Sequence, residues 1–165
     1  MNKTKVQPFF SVVLHEPEIP QNTGNVGRTC VATNSSLHLI EPFGFEITDS
    51  NLKRAGLDYW VHLDWHRHQN FEAWLKNAPN QDRIFLFSTK ATRLYTDVLY
   101  QPGDALVFGK ETKGLPPEIL QKFSKQLVKI PQIGPVRSLN LATSVAIASY
   151  ELIRQLGVDQ GCRTD

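Results

Sequence analysis

The sequence predicts an α/β domain built on a mostly parallel sheet flanked by helices. Three observations carry that prediction. Short apolar, β-branched or aromatic runs recur along the chain, at residues 9–14, 37–40, 83–88, 105–108 and 126–130. Helix-like sequence separates most of them, and such alternation is the signature of a parallel sheet with crossover helices. The chain has 165 residues with 41% hydrophobic and 21% charged, enough apolar material for one real core. Residues 1–157 read as a single domain and 158–165 as a flexible tail.

Each element has its own local reason. Phe9 to Leu14 (FFSVVL) is aromatic and β-branched, so it reads as a strand. Asn22 to Asn34 reads as a helix, with Asn22 or Thr23 as cap and Val26, Cys30 and Val31 facing inward. Leu37 to Ile40 is a short strand. Ser50 to Gly56 suggests a helix stopped by glycine. Val61 to Trp65 alternates like a strand, and Phe71 to Lys76 forms a short helix. Arg83 to Ser88 and Ala105 to Phe108 are buried strands. Pro116-Pro117-Glu118 opens a helix, with proline and an acid in its first turn. Gln126 to Ile130 is the last strand, and Asn140 to Leu156 the last helix. Leu139 to Tyr150 carries no charge, and Ala142, Ser144, Ala146, Ala148 and Ser149 are small. A helix apolar on most sides is buried on most sides, in the core of one chain or against a second subunit.

Composition excludes several classes. No apolar run approaches the roughly 18 residues that span a membrane. The first residues lack the apolar core of a signal peptide. Cys30 and Cys162 give neither metal spacing nor a disulfide framework, so a cytoplasmic protein is expected. Net charge is +2, but residues 1–82 hold 7 Lys/Arg against 9 Asp/Glu, and residues 83–165 hold 11 against 7. This is either ordinary surface scatter or a mild basic face for a polyanion.

Three segments follow strands and mix glycine, proline, asparagine and charge: residues 16–28, 108–116 and 130–141. Ligands in open α/β sheets bind outside the carboxyl ends of strands, so these loops are expected to share a site. The first approaches a dinucleotide fingerprint, but Asn22 stands where the first glycine belongs. Gly24 and Gly27 equally suit close helix packing, and Arg28 suits either a site or pairing with Glu16 or Glu18. The second loop lacks the GxxxxGK[ST] pattern, which removes a P-loop. It still offers close backbone approach at its glycines, or simply a turn with glycine at positive φ. In the third, Ser138 and Asn140 suit helix capping, ligand contact or both. His62, His66 and His68 match no zinc spacing and read as a solvated strand face, so no metal is expected. Trp60, Trp65 and Trp74 read as packing residues. A nicotinamide oxidoreductase would leave the second and third loops unexplained.

Taken together, Pro20, Asn22, Gly24, Asn25 and Arg28; then Phe108-Gly109, Glu111 and Gly114-Leu115-Pro116; then Ile130-Pro131 and Arg137-Ser138-Leu139-Asn140-Leu141 resemble the three motifs of the SPOUT superfamily of S-adenosylmethionine-dependent RNA methyltransferases. The likeness spans nearly the whole chain and is to a minimal member. His15 to Pro20 and Arg54 to Tyr59 are similar to the small bacterial enzymes that methylate the ribose of tRNA nucleotide 34. The resemblance implies a C-terminal trefoil knot, a homodimer, S-adenosyl-L-methionine as cofactor, and a tRNA anticodon stem-loop as partner. It gives Arg28 the catalytic role. It places Phe87, Gly109, Glu111, Gly114, Ile130, Ser138, Leu139 and Asn140 around the cofactor. Lys53, Arg54, Lys110, Lys113, Arg137 and Tyr150 are the expected RNA contacts, and Glu111 is a candidate proton acceptor by position. Methylation at another tRNA or ribosomal RNA position, or RNA binding without catalysis, are the alternatives.

Overall fold

The computed structural model describes residues 7–47 and 58–157. Six parallel strands form one sheet in the order β3-β2-β1-β5-β4-β6. They are β1 (Ser11–His15), β2 (Ser36–Ile40), β3 (Trp65–His68), β4 (Ile84–Phe87), β5 (Ala105–Phe108) and β6 (Leu127–Val128). The described helices are α1 (Pro20–Thr33), α2 (Phe71–Asn77), α3 (Pro117–Lys122) and α4 (Leu141–Leu156). The α/β expectation holds.

Period-two alternation sorts the strands between two cores. Val12, Leu14, Leu37, Leu39, Leu106 and Phe108 pack with Val26 and Cys30 of α1 and Val145, Ala148 and Leu152 of α4. From the opposite face, Val13, Ile40, Ile84, Leu86 and Val107 pack with Phe71 and Trp74 of α2 and Ile119 of α3. The central strands are therefore buried on both faces, which is why they read as continuous apolar runs.

Some boundaries move for identifiable reasons. The expected strand over Val61 to Trp65 is a 3₁₀ turn, Asp58–His62, with Trp60 turned inward; β3 starts only at Trp65. The apolar–polar alternation there came from a turn with one buried side, not from a pleat. β6 ends at Val128, because Lys129 then donates to Arg93 O and accepts from Tyr95 N instead of extending the β4 ladder. Neither Asn22 nor Thr23 caps α1; both are buried inside its first turns, and Ile19 holds the cap position with no side-chain bond. Asn140, rather than Ser138, caps α4 by accepting from Thr143 N at 3.2 Å. Gly157 closes that helix in the left-handed conformation (φ 65°). The helix expected over Ser50 to Gly56 and the tail lie outside the described residues.

Candidate active site

A cleft of about 500 Å³ opens at the carboxyl ends of β4, β5 and β6, a size typical of small-molecule sites. All eight residues expected around a cofactor line it: Phe87, Gly109, Glu111, Gly114, Ile130, Ser138, Leu139 and Asn140. Lys110, Lys113 and Arg137 border it as well. One wall is aromatic, with the Phe87 and Phe108 rings stacked at 4.5 Å. Leu115 and Leu120 add apolar surface. Two glycines shape the second loop. Gly114 has φ 67°, which an L side chain adopts only with strain. A Cβ on Gly109 would stand 2.1 Å from Gly114 C and 2.2 Å from Leu115 N. The loop doubles back there at backbone contact, with Gly114 N donating to Lys110 O at 2.9 Å.

The first turn of α1 leaves backbone N–H groups without intrahelical acceptors, and the second loop supplies one. Glu111 accepts from Glu18 N at 2.8 Å, Ile19 N at 3.1 Å and Asn22 Nδ2 at 3.1 Å. Asn22 accepts in turn from Asn140 Nδ2 at 2.9 Å. Side chains from all three loops thus form one chain of hydrogen bonds beside the cleft. A carboxylate at a helix N-terminus also complements the helix dipole. Glu111 is engaged in holding α1, which alters its expected part as proton acceptor. Around it, Glu18 takes the backbone N–H and hydroxyl of Thr112, and those bonds hold its carboxyl below the ordinary range. Glu16, in the left-handed region at φ 51°, pairs with Lys110, a bond that raises the lysine pKa. Lys110 thus borders the cleft while paired with Glu16.

Arg28 lies on the exposed side of α1 and is not among the residues lining the cleft. Glu16 and Glu18 have the partners just named, so Arg28 does not pair with them. Its guanidinium instead sits 4.5 Å from the Tyr59 ring centroid. Tyr150 is 55% exposed on α4, away from the cleft. Lys53 and Arg54 lie outside the described residues. Gly27 serves close packing, since a Cβ there would meet Trp60 Cζ3 at 2.7 Å. Trp60 and Trp74 are buried and Trp65 is half-buried, as expected of packing residues.

Sequence reading missed two parts of this arrangement. Asn22 links the other two loops; its departure from the glycine fingerprint was the available signal. Tyr59 was legible only as part of the Arg54–Tyr59 likeness. The histidine face also gains a member. His38 on β2 shares a hydrogen bond with His68 at 2.9 Å and stacks on His66 and His68. Among the described residues no group of His, Cys, Asp or Glu could hold a metal ion. No helix among them is long and apolar enough to cross a membrane.

Comparison with known proteins agrees with this geometry. Residues 10–150 match the model of the SpoU rRNA Methylase family. The tRNA (cytidine(34)-2′-O)-methyltransferase of Escherichia coli (strain K12) is 47% identical over 150 residues, 90% of this chain and 95% of that protein. A solved structure concerned with the 2-OH methylation of C/U34 on tRNA superposes with a TM-score of 0.84 at 48% identity. It covers 90% of this chain and 97% of the other. An AdoMet-bound rRNA methyltransferase from Sinorhizobium meliloti superposes with a TM-score of 0.78 at 25% identity, covering 92% of this chain and 59% of that one. With the parallel sheet, the three converging loops and a match across most of its length, the chain belongs to the SpoU rRNA Methylase family.

Proposed function

We propose that this protein transfers the methyl group of S-adenosyl-L-methionine to the ribose 2′-hydroxyl of nucleotide 34, a cytidine or modified uridine, in tRNA anticodon loops. The observation that carries the proposal is the convergence of all three motif loops on one cleft, in a chain 47% identical to a tRNA (cytidine(34)-2′-O)-methyltransferase.

The residues present fit the cofactor. Apolar surface from Leu115, Leu120, Ile130 and Leu139 would receive its flat base, and the bare backbone at Gly114, where nothing lies within 4 Å, would admit its polar groups. Bound there, S-adenosyl-L-methionine supplies an electrophilic methyl. This chain's residues then orient, exclude water and handle charge. Phe87 and Leu139 shield the reacting end from solvent. Arg28 holds a substrate phosphate and stabilises charge growing on the 2′-oxygen; a guanidinium is a fork of donors and a poor base. Glu111 keeps α1, and so Arg28, in place, leaving proton acceptance to another group or water. Arg137 and Lys113 at the cleft mouth receive RNA backbone. Single-stranded anticodon nucleotides expose both base and 2′-hydroxyl for such recognition.

The working unit is a homodimer. Arg28 lies about 120° around α1 from the cleft-lining Asn22, exposed and outside the cleft lining, which supports a site completed by a second copy. The exposed Tyr150 and half-buried Ala142, Ala146 and Ile147 on the uncharged part of α4 suit the seam. The likeness of the three loops to the motifs of the family supports their threading as a trefoil knot. A cytoplasmic location follows from the tRNA substrate.

The test is transfer of labelled methyl from S-adenosyl-L-methionine to total tRNA, with nucleoside mapping. A 2′-O-methylated nucleotide 34 is the expected product. Label at another ribose would move the target, and cofactor-independent RNA binding without turnover would replace the enzyme with a binding protein. Arg28→Ala is expected to lower transfer about 10²–10³-fold to a measurable residual rate while leaving cofactor affinity within about threefold. Equal loss of cofactor binding would refute its assignment.

A further inference from the structure

We propose that Tyr59 is a positioning residue for the Arg28 guanidinium, a role that rests on the methyl-transfer reading above. Two contacts hold the tyrosine and the arginine in register. The Tyr59 hydroxyl donates to Gly24 O, the carbonyl one helical turn before Arg28. The Arg28 guanidinium then lies over the same ring, 4.5 Å from its centroid, well inside the range of a cation–π contact.

The ring itself has little freedom. Asp58 Oδ1 accepts from Tyr59 N at 3.0 Å within the 3₁₀ turn. The next residue, Trp60, is buried against Gly27. Adjacent aromatics therefore grip adjacent stretches of α1, Trp60 by its edge and Tyr59 by its hydroxyl and face. Burial pushes the phenol pKa up, with the neighbouring Arg28 charge opposing that rise, so the hydroxyl remains a donor at neutral pH.

An arginine has long, flexible side-chain torsions, and ordering it costs entropy. An aromatic face that restrains the guanidinium before substrate arrives removes part of that cost. The ring lies beneath the guanidinium and the phenol oxygen takes a hydrogen bond from it, and the remaining N–H donors are left for a phosphate or developing oxyanion. Tyr59 itself is not proposed to touch substrate.

The experiment compares Tyr59→Leu and Tyr59→Phe in the Arg28 protein and Tyr59→Leu in an Arg28→Ala background. Methyl transfer to tRNA, cofactor affinity and the Arg28 Nε–H resonance are measured together. Tyr59→Leu is expected to lower kcat about tenfold with cofactor affinity within about twofold. Tyr59→Phe should recover most of that rate, since it keeps the ring. In the Arg28→Ala background Tyr59→Leu should cost nothing further in residual rate. The Arg28 resonance should carry a ring-current shift that Tyr59→Leu removes and Tyr59→Phe keeps. An undiminished rate in Tyr59→Leu, or an equal loss without Arg28, overturns the proposal. So does an Arg28 resonance indifferent to the ring. Should the unmodified protein transfer no methyl at all, the methyl-transfer reading fails separately, and the resonance alone decides whether Tyr59 holds Arg28.

Discussion

Acid should weaken this fold through one imidazole more than any other. His38 lies on β2 with Ser36 Oγ 3.1 Å from Nε2 and His68 Nε2 2.9 Å from Nδ1. Both bonds are satisfied by a neutral ring that accepts from Ser36 and donates to His68. The rings of His66 and His68 stack on it at 5.0 and 5.1 Å. Burial first, then the charges His66 and His68 would carry, lower its pKa to about 3, with Asp64 opposing. The unfolded chain binds a proton near pH 6.5, while the folded chain stays neutral until far lower. The contribution is therefore complete above pH 6.5 and declines as pH falls from 6.5 toward 3. At pH 5 the loss is about 1.5 units at 1.36 kcal/mol each, or ~2 kcal/mol. His68 is lowered in the same direction, burial leading, and adds to the decline. Urea unfolding at pH 8 and pH 5, run on the wild type and on His38→Gln, reads this residue together with its coupling to His66 and His68. The wild type should lose about 2 kcal/mol more than the variant between the two conditions. A difference in slope below about 0.5 kcal/mol would refute the reasoning.

Two substitutions probe the loops. Gly109→Ala places a methyl against the Gly114 and Leu115 backbone, which cannot yield as a side-chain tip could. It should cost about 3 kcal/mol or more and abolish cofactor binding, read by thermal unfolding and calorimetric titration. Glu111→Gln keeps size but presents an amide N–H₂ where an oxygen now accepts from Glu18 N or Ile19 N. A loss of about 1–3 kcal/mol should appear in thermal unfolding, with turnover falling more than cofactor affinity. A drop confined to cofactor affinity would contradict the clamp.

The legible parts of this protein were those governed by short-range rules. Ala105 to Phe108 was readable to the residue, because a strand buried on both faces must be apolar at consecutive positions. The three loops could be assigned to one site because parallel strands deliver their carboxyl ends to one edge. What stayed hidden depends on partners far apart in the chain. Glu111 meets Glu18 and Ile19 across more than ninety residues, and no local pattern distinguishes such a carboxylate from a catalytic one. The turn at Asp58–His62 imitated a strand because Trp60 and Leu63 point inward from a coil. Tyr59 was hidden with it. The ion pair of Lys110 with Glu16, which takes a left-handed conformation, was equally invisible in the local pattern.

The helix α1 explains why the three motifs belong together. It begins without a side-chain cap of its own, so its placement depends on acceptors from elsewhere. Glu111 supplies them from the second loop, and Asn140 of the third loop fixes Asn22 while capping α4 through Thr143 N. Those same two loops wall the cleft. A ligand that orders them must also steady α1, because the bonds that hold the helix start in the walls. Arg28 projects from the other side of that helix, restrained by Tyr59. The walls of the cleft and the helix that carries Arg28 are thus joined by one set of hydrogen bonds. Removal of either carboxamide or of the carboxylate between the loops should therefore loosen α1 against the cleft walls.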